Sequence, residues 1–510
     1  MSLTASDLTR RLLALTFPPL SINRRLLYLL CVGSLIILGT AIAWLSLTEV
    51  ALLLGGAIFL ILLLIEPLLS LYVLIPLIPF SSLFTVSAGG ARVGLMEIIL
   101  FLGVAAWLLQ ISVKPDQNIP RPPLLWPFLL MLAAVSLSWL NTLSLGASLV
   151  ETIKWVEMLV LYLMVVALLP VGQVKWLVSV ILLTGMAQAI LGLYQFIFRV
   201  GPEGFLLFGG RFLRAYGTFA QPNPYAGYLG LILPLALAVA IWGLIDFDPR
   251  STPRLSILRS GILRLVLFGL PFGIMLVALF ATQSRSAWLG FFAAATVVFA
   301  IYNKRTMTVL VSIILLATVV ALVGAFNLGL TQITTSYGVI IQRLVEAGSI
   351  FTINDISSIE VTDANFATVE RLAHWRAAQE MWRDNPWLGV GFGNYAVVYP
   401  AYAVGRWLDP LGHAHNYLLN IGAEAGLVGI TTYLIFWIFT FGVLWQTVRR
   451  SHGFERAVSV GVVGIMVHLQ IHNFFDNLYV QGMYLYIAIV LAVASVVYHC
   501  SQVEETSCQC

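Results

Sequence analysis

Charge is what this 510-residue chain has least of: only 10% of its residues are Asp, Glu, Lys or Arg, against 60% hydrophobic. With a mean hydropathy of +0.95, that scarcity excludes a soluble globular protein and leaves a polytopic membrane protein. A basic patch is also missing. The formal net charge is +4, and Lys and Arg fall in short clusters, so nucleic-acid binding has no support. Cysteine is rare, with four residues at Cys31, Cys500, Cys508 and Cys510. The tail pair Cys508-Gln-Cys510 lacks the second pair that a structural zinc site needs. No internal repeat, no linker between soluble domains and no cleavable signal peptide are evident.

Long apolar runs occupy the rest. A bilayer-crossing helix needs about 20 apolar residues, and runs of that kind lie near 26–47, 50–65, 67–83, 94–112, 124–141, 149–169, 175–198, 221–245, 262–282, 287–302, 307–327, 415–447, 457–474 and 478–499. The third is short and broken by Pro76 and Pro79. The expected fold is therefore all-α, a transmembrane helical bundle of about 12–14 spans. Lys and Arg in short loops mark the cytoplasmic side: Arg10, Arg11, Arg24 and Arg25 before the first run, then Arg250, Arg254, Arg259 and Arg264, then Lys304 and Arg305, then Arg449, Arg450 and Arg456. This divides the chain into a cytoplasmic N-terminus at 1–25, an N-terminal bundle at 26–327, a large outer loop at 328–412, C-terminal spans at 413–499 and a cytoplasmic tail at 500–510.

The outer loop is the only long polar one, and loops of that length are usually functional or disordered. Residues 349–369 show no helical period. From Glu370 onward Leu372, Trp375, Ala378 and Met381 recur at helical spacing, predicting an amphipathic helix that Asn385-Pro386 ends. That helix is expected to lie near the outer membrane surface and cap the bundle.

The same topology puts Arg199, Arg211 and Arg214 on the outer face, against the positive-inside bias, and places Arg285 of Ser284-Arg285-Ser286 there too. An anionic ligand would account for such residues. Arg214 beside Gly217-Thr-Phe and Pro-Asn223-Pro can join helix-start N–H groups in a phosphate cradle. Interfacial headgroup contact is the plainer alternative for both arginines. His413-Ala-His415-Asn416 opens the next span, where a histidine can take a proton from a hydroxyl and Asn416 can cap the helix. A metal on His413 and His415 would need a third ligand, for which Asp409 is the available residue. Glu424 sits among apolar residues and calls for a partner, an Arg or a polar cavity. His468, His472 and Asp476 recur on one helical face and suit either a metal site or the lining of that cavity. Gly389-Val-Gly391-Phe-Gly393 follows no strand, so it does not read as a nucleotide loop.

Taken together, Arg214 with Gly-Thr-Phe and Pro-Asn-Pro, Ser-Arg285-Ser, Arg371-x-x-x-Trp375 with Asn-Pro-Trp-Leu-Gly-Val-Gly-Phe-Gly-Asn-Tyr, and His415-Asn416 followed after nine residues by Gly426-x-x-Gly429 resemble the O-antigen ligase and O-antigen polymerase superfamily. The similarity is strongest from about 200 to 480. It implies an enzyme, without metal or other cofactor, that moves a glycan from undecaprenyl diphosphate to an acceptor hydroxyl on the periplasmic face of the bacterial inner membrane. The acceptor would be lipid A core, a growing glycan or a protein, with membrane lipids as the surroundings. Arg214 and Arg285 would clamp the diphosphate and His415 would act as base or orient the acceptor. Asn223, Arg371, Trp375, His413, Asn416, Glu424, His472 and Asp476 are the accompanying substrate-site candidates. Cyanobacterial relatives once proposed as bicarbonate transporters resemble the chain in the Arg, Asn-Pro-Asn, Ser-Arg and His-x-x-Phe-Asp segments, but lack a histidine at the position of His415.

Overall fold

The computed structural model describes residues 46–308 and 360–508, apart from 84, 89–90, 114–120, 208–209, 247–260 and 362–364, together with isolated positions 33, 39, 311, 312 and 315. The first expected span, Arg250, Arg254 and Arg259, most of the span at 307–327 and the outer loop up to 359 lie outside the described residues. The fold is an all-α bundle. Nine helices among the described residues are long and apolar enough to cross a membrane. The chain forms two compact units, one of residues Met1–Leu71 and Ile99–Gln117, the other of Tyr72–Ile98 and Asn118–Cys510.

In chain order the helices are α1 (Leu47–Ile65), α2 (Leu69–Leu77), α3 (Leu95–Val113), α4 (Leu125–Leu137), α5 (Leu145–Leu168), α6 (Val174–Phe198) and α7 (Pro222–Ile241). Then come α8 (Gly261–Ala281, with a π-helical turn at Leu265–Gly269), α9 (Arg285–Tyr302), α10 (Phe366–Asp384), α11 (Tyr395–Val398), α12 (Tyr417–Arg450), α13 (Gly453–Asn473) and α14 (Met483–Cys508). The expected third span is cut short. Pro76 and Pro79 end α2 in a 3₁₀ turn, and a small hairpin follows, β1 (Thr85–Ala88) against β2 (Ala91–Gly94). A second hairpin pairs β3 (Leu206–Leu207) with β4 (Phe212–Leu213) just before Arg214.

The site-bearing unit is organised around α7. All of its residues from Tyr225 to Ile241 are buried, as expected of a helix that is apolar on every face. α13 packs against both α7 and α9. Small residues permit the approach: a Cβ on Gly461 would lie 2.8 Å from the Leu235 Cα, and one on Gly464 would lie 2.7 Å from the Pro234 Cβ.

The amphipathic helix predicted from Glu370 starts four residues earlier, at Phe366, and ends where Asn385 caps it. Its apolar face, including Leu372, Trp375, Ala378 and Met381, is buried, and it packs against α12.

α12 is broken at Gly426, whose φ of 62° and ψ of −156° are closed to side chains. In an unbroken helix Leu427 and Val428 would donate to the carbonyls of Ala423 and Glu424. Here they donate instead to the carbonyls of Pro386 (2.8 Å) and Trp387 (3.2 Å), while Val390 and Gly391 donate to the freed carbonyls of Ala423 (2.8 Å) and Glu424 (3.0 Å). The segment after α10 therefore bridges the break, and every backbone group it opens finds a partner. The glycines are required by this contact. A Cβ on Gly389 would lie 2.3 Å from the Glu424 carbonyl carbon, and one on Gly426 would lie 2.3 Å from that of Trp387.

Candidate functional site

The functional candidates meet at the turn after α13. That helix ends at Asn473, whose side-chain oxygen accepts from the Leu478 N–H at 2.9 Å, and the turn it holds presents Asp476. Asp476 Oδ1 lies 3.3 Å from His415 Nδ1 and 3.9 Å from His413 Nε2, and accepts the Asn477 N–H at 3.0 Å. The His415 N–H donates to His413 Nδ1 at 3.1 Å, and the two rings meet edge to face with centroids 4.4 Å apart. His415 has a φ of +52°, a left-handed conformation that costs a non-glycine residue energy.

The surrounding motif residues hold that conformation. Trp375 Nε1 donates to the His415 carbonyl at 3.2 Å, and Asn416 caps α12 by accepting the Leu419 N–H at 3.0 Å. Arg371 Nε donates to the Phe475 carbonyl at 3.1 Å, so α10 grips both the histidine segment and the aspartate turn. The spacing of Arg371 and Trp375, one helical turn apart, thus serves two neighbouring loops at once.

One residue of this cluster was missed from sequence. His374 is buried on α10, with Nδ1 2.9 Å from the Tyr395 hydroxyl, its ring stacked on Tyr399 at 4.7 Å and 5.8 Å from the His415 ring. Its place one turn from Arg371 and beside Trp375 was the available signal.

The electrostatics follow from burial and neighbours. Burial opposes the charge of Asp476, but its hydrogen bond to His415 and the proximity of Arg371 outweigh that and hold the carboxyl well below the ordinary range. Burial, helped by the neighbouring His415, lowers His413 to about 3 and His374 to about 4, so both stay neutral through the physiological range. Burial raises the Glu370 carboxyl, against the pull of His415 and Arg371.

The arginine side is built on a separate turn. Gln195 of α6 accepts the N–H groups of Tyr216 (3.2 Å) and Gly217 (2.8 Å) and returns a bond to the Gly217 carbonyl at 2.7 Å. This fixes the chain around Arg214, which donates from Nε to the Thr282 carbonyl at 2.8 Å and from Nη2 to Asn223 Oδ1 at 2.7 Å. Arg214 and Asn223 are thereby tied to the turn that precedes Arg285. Arg285 opens α9 with Ser284 as its cap residue, and both arginines are half-buried. Ser286 Oγ lies 3.5 Å from His472 Nε2, and His472 stands four residues before Asp476, at the end of α13. Contacts therefore run from Asn223 through Arg214, the 282–286 turn and His472 to the segment that presents Asp476 to His415.

Three expectations need correction. Glu424 meets no arginine among the described residues: one carboxylate oxygen accepts the Tyr395 N–H at 2.9 Å and the other accepts from Asn420 Nδ2 at 3.0 Å. It locks the bridging segment into the break of α12. His468 does not share a site with Asp476. It is fully buried in a slot left by two glycines, with a Cβ on Gly230 placed 2.0 Å and one on Gly290 placed 2.8 Å from its ring, and neither ring nitrogen has a hydrogen-bond partner among the described residues. Asp409 is not the third residue beside His413 and His415, since it accepts the Leu411 N–H at 3.1 Å. Asp476 takes that place. His413, His415 and Asp476 offer three donor atoms within 4.8 Å of one another, a set that a divalent transition metal can also use.

Residues 270–434 match the family model described as O-Antigen ligase. That segment is similar to the O-antigen ligase domain. It spans roughly a third of the chain and contains Arg285, Arg371, Trp375, His413, His415, Asn416 and Glu424. Arg214, Asn223, His472 and Asp476 lie on either side of it and reach it through the contacts described above. No curated protein matches the chain. The apolar helices make the chain a multi-pass membrane protein, and the match likens its residues 270–434 to O-antigen ligases.

Proposed function

We propose that the protein transfers a glycan from undecaprenyl diphosphate to an acceptor hydroxyl at the periplasmic face of the inner membrane. The observation that carries this reading is the contact of His415, inside the segment similar to O-antigen ligases, with the ionised Asp476. In the reaction the acceptor oxygen attacks the anomeric carbon, and its proton passes to His415. The new glycosidic bond forms as the bond from that carbon to the diphosphate oxygen breaks, leaving its electron pair on the lipid diphosphate. Arg214 and Arg285 stabilise the charge that develops on the leaving oxygen. A diphosphate is already a good leaving group, so positioning and electrostatics carry most of the acceleration. Proton removal adds about 100- to 10,000-fold.

The test is reconstitution of the purified protein in vesicles with labelled undecaprenyl-diphosphate-linked glycan, offering lipid A core, a second lipid-linked glycan or a protein as acceptor. The expected result is a glycosylated acceptor with release of undecaprenyl diphosphate, lost in Arg285→Lys because Lys keeps the charge but not the two-pronged donor geometry. The product names the acceptor class. An intact donor, together with bicarbonate flux across the same vesicles, would replace this reading by transport.

A further inference from the structure

We propose that Asp476 is a positioning residue for His415, holding the proton of neutral His415 on Nδ1 and leaving Nε2 as the atom that receives the acceptor's proton. The part about proton transfer rests on the reading of His415 as base; the part about the tautomer does not.

The geometry carries it. His415 Nδ1 lies 3.3 Å from Asp476 Oδ1, and that side chain is 11% exposed, so little water competes for the contact. An ionised carboxylate is an acceptor only, so the nitrogen facing it must bear the hydrogen. His415 Nε2 is buried and has no hydrogen-bond partner among the described residues. A buried lone pair without a donor is unfavourable unless something else is to occupy the place.

The pair is also held from both ends. Arg371 fixes the Phe475 carbonyl beside Asp476, and Trp375 fixes the His415 carbonyl in its left-handed conformation. His413 Nδ1 accepts the His415 N–H, so neutral His413 carries its proton on Nε2, 3.9 Å from the same Asp476 oxygen. The carboxylate faces both imidazoles and contacts that of His415, in the arrangement by which an aspartate fixes a histidine's tautomer and stabilises the imidazolium that forms. The other charged or titratable groups around His415 are Glu370, Arg371 and His374 of α10 and Asp409 of the preceding segment. Among the groups that face it, Asp476 alone makes direct contact with Nδ1.

Two measurements test this. In ¹⁵N-histidine spectra of the full-length protein in nanodiscs, neutral His415 should be protonated on Nδ1, and should lose that preference in Asp476→Asn. An Nε2-protonated His415 in the wild type would overturn the proposal whether or not the protein transfers glycan. In the vesicle assay, Asp476→Asn should lower kcat by about 100- to 10,000-fold with KM for the lipid-linked donor nearly unchanged. The low-pH limb of its rate profile should move to lower pH, and Asp476→Glu should recover part of the rate. An unmoved limb with no recovery in Asp476→Glu would make Asp476 a purely structural residue. Loss of transfer on chelation, restored by Zn²⁺, would assign the three donors to a metal; either result contradicts the proposal.

Discussion

His413 and His415 stand two residues apart in an irregular segment, and His468 and His472 stand one turn apart inside a span. The first pair is half-buried and converges on a carboxylate, with side-chain exposures of 17% for each histidine and 11% for Asp476. Of the second pair, His468 fills a slot between glycines without a hydrogen-bond partner among the described residues, and His472 reaches only Ser286 at 3.5 Å. The two pairs look equally promising as sequence. What separates them is what faces the ring: a charge partner on one side, close-packed small residues on the other.

The sharpest way to break that comparison is to remove the first pair's central member. His415→Ala should lower transfer by about 100- to 10,000-fold while leaving insertion and the thermal midpoint near wild type. A rate within a few-fold of wild type would end its assignment as base.

Next in size is the scaffold that places the pair. Gly426→Ala puts a Cβ 2.3 Å from the Trp387 carbonyl carbon at a φ of 62°. It should destabilise the docked segment by about 3 kcal/mol or more, seen as new protease cleavage between α10 and α12. An unchanged digestion pattern would mean that the break in α12 is not held by that segment.

A smaller effect should appear with pH. His374 is buried and its pKa falls from 6.5 to about 4 in the folded protein. Between those values the unfolded chain binds a proton that the folded chain refuses, so stability is flat above pH 6.5 and falls as the pH drops toward 4. The thermal midpoint should decline over that window, and decline less in His374→Phe. An equal decline in the variant would assign the loss to other groups.

The smallest effect belongs to the second pair. His468→Leu replaces an imidazole without a hydrogen-bond partner among the described residues by an apolar side chain of similar size, so stability and transfer should change little.

Much of the fold was legible because apolar runs of span length have few alternatives in a membrane. The amphipathic period of α10 was equally clear, and its burial on α12 follows from it. Legibility failed where one segment answers the needs of another. Nothing local to Gly426 announces that Leu427 and Val428 bond to Pro386 and Trp387, or that Glu424 pairs with the Tyr395 N–H rather than with an arginine. The same limit applied at the site. Sequence spacing grouped Asp476 with His468 and His472 because they recur at helical intervals, yet α13 ends at Asn473 and the turn beyond it carries Asp476 to His415. Periodicity describes a face only while the helix lasts. Arg214 and Arg285 were named separately, and their link through the Thr282 carbonyl required the fold.

The most direct test measures His415→Ala and His468→Leu side by side in the same reconstituted vesicles, with one labelled lipid-linked glycan and one acceptor. The account predicts that His415→Ala loses transfer by at least about 100-fold and that His468→Leu stays within about twofold of wild type. Loss in His468→Leu with retention in His415→Ala would place the chemistry at the wrong pair.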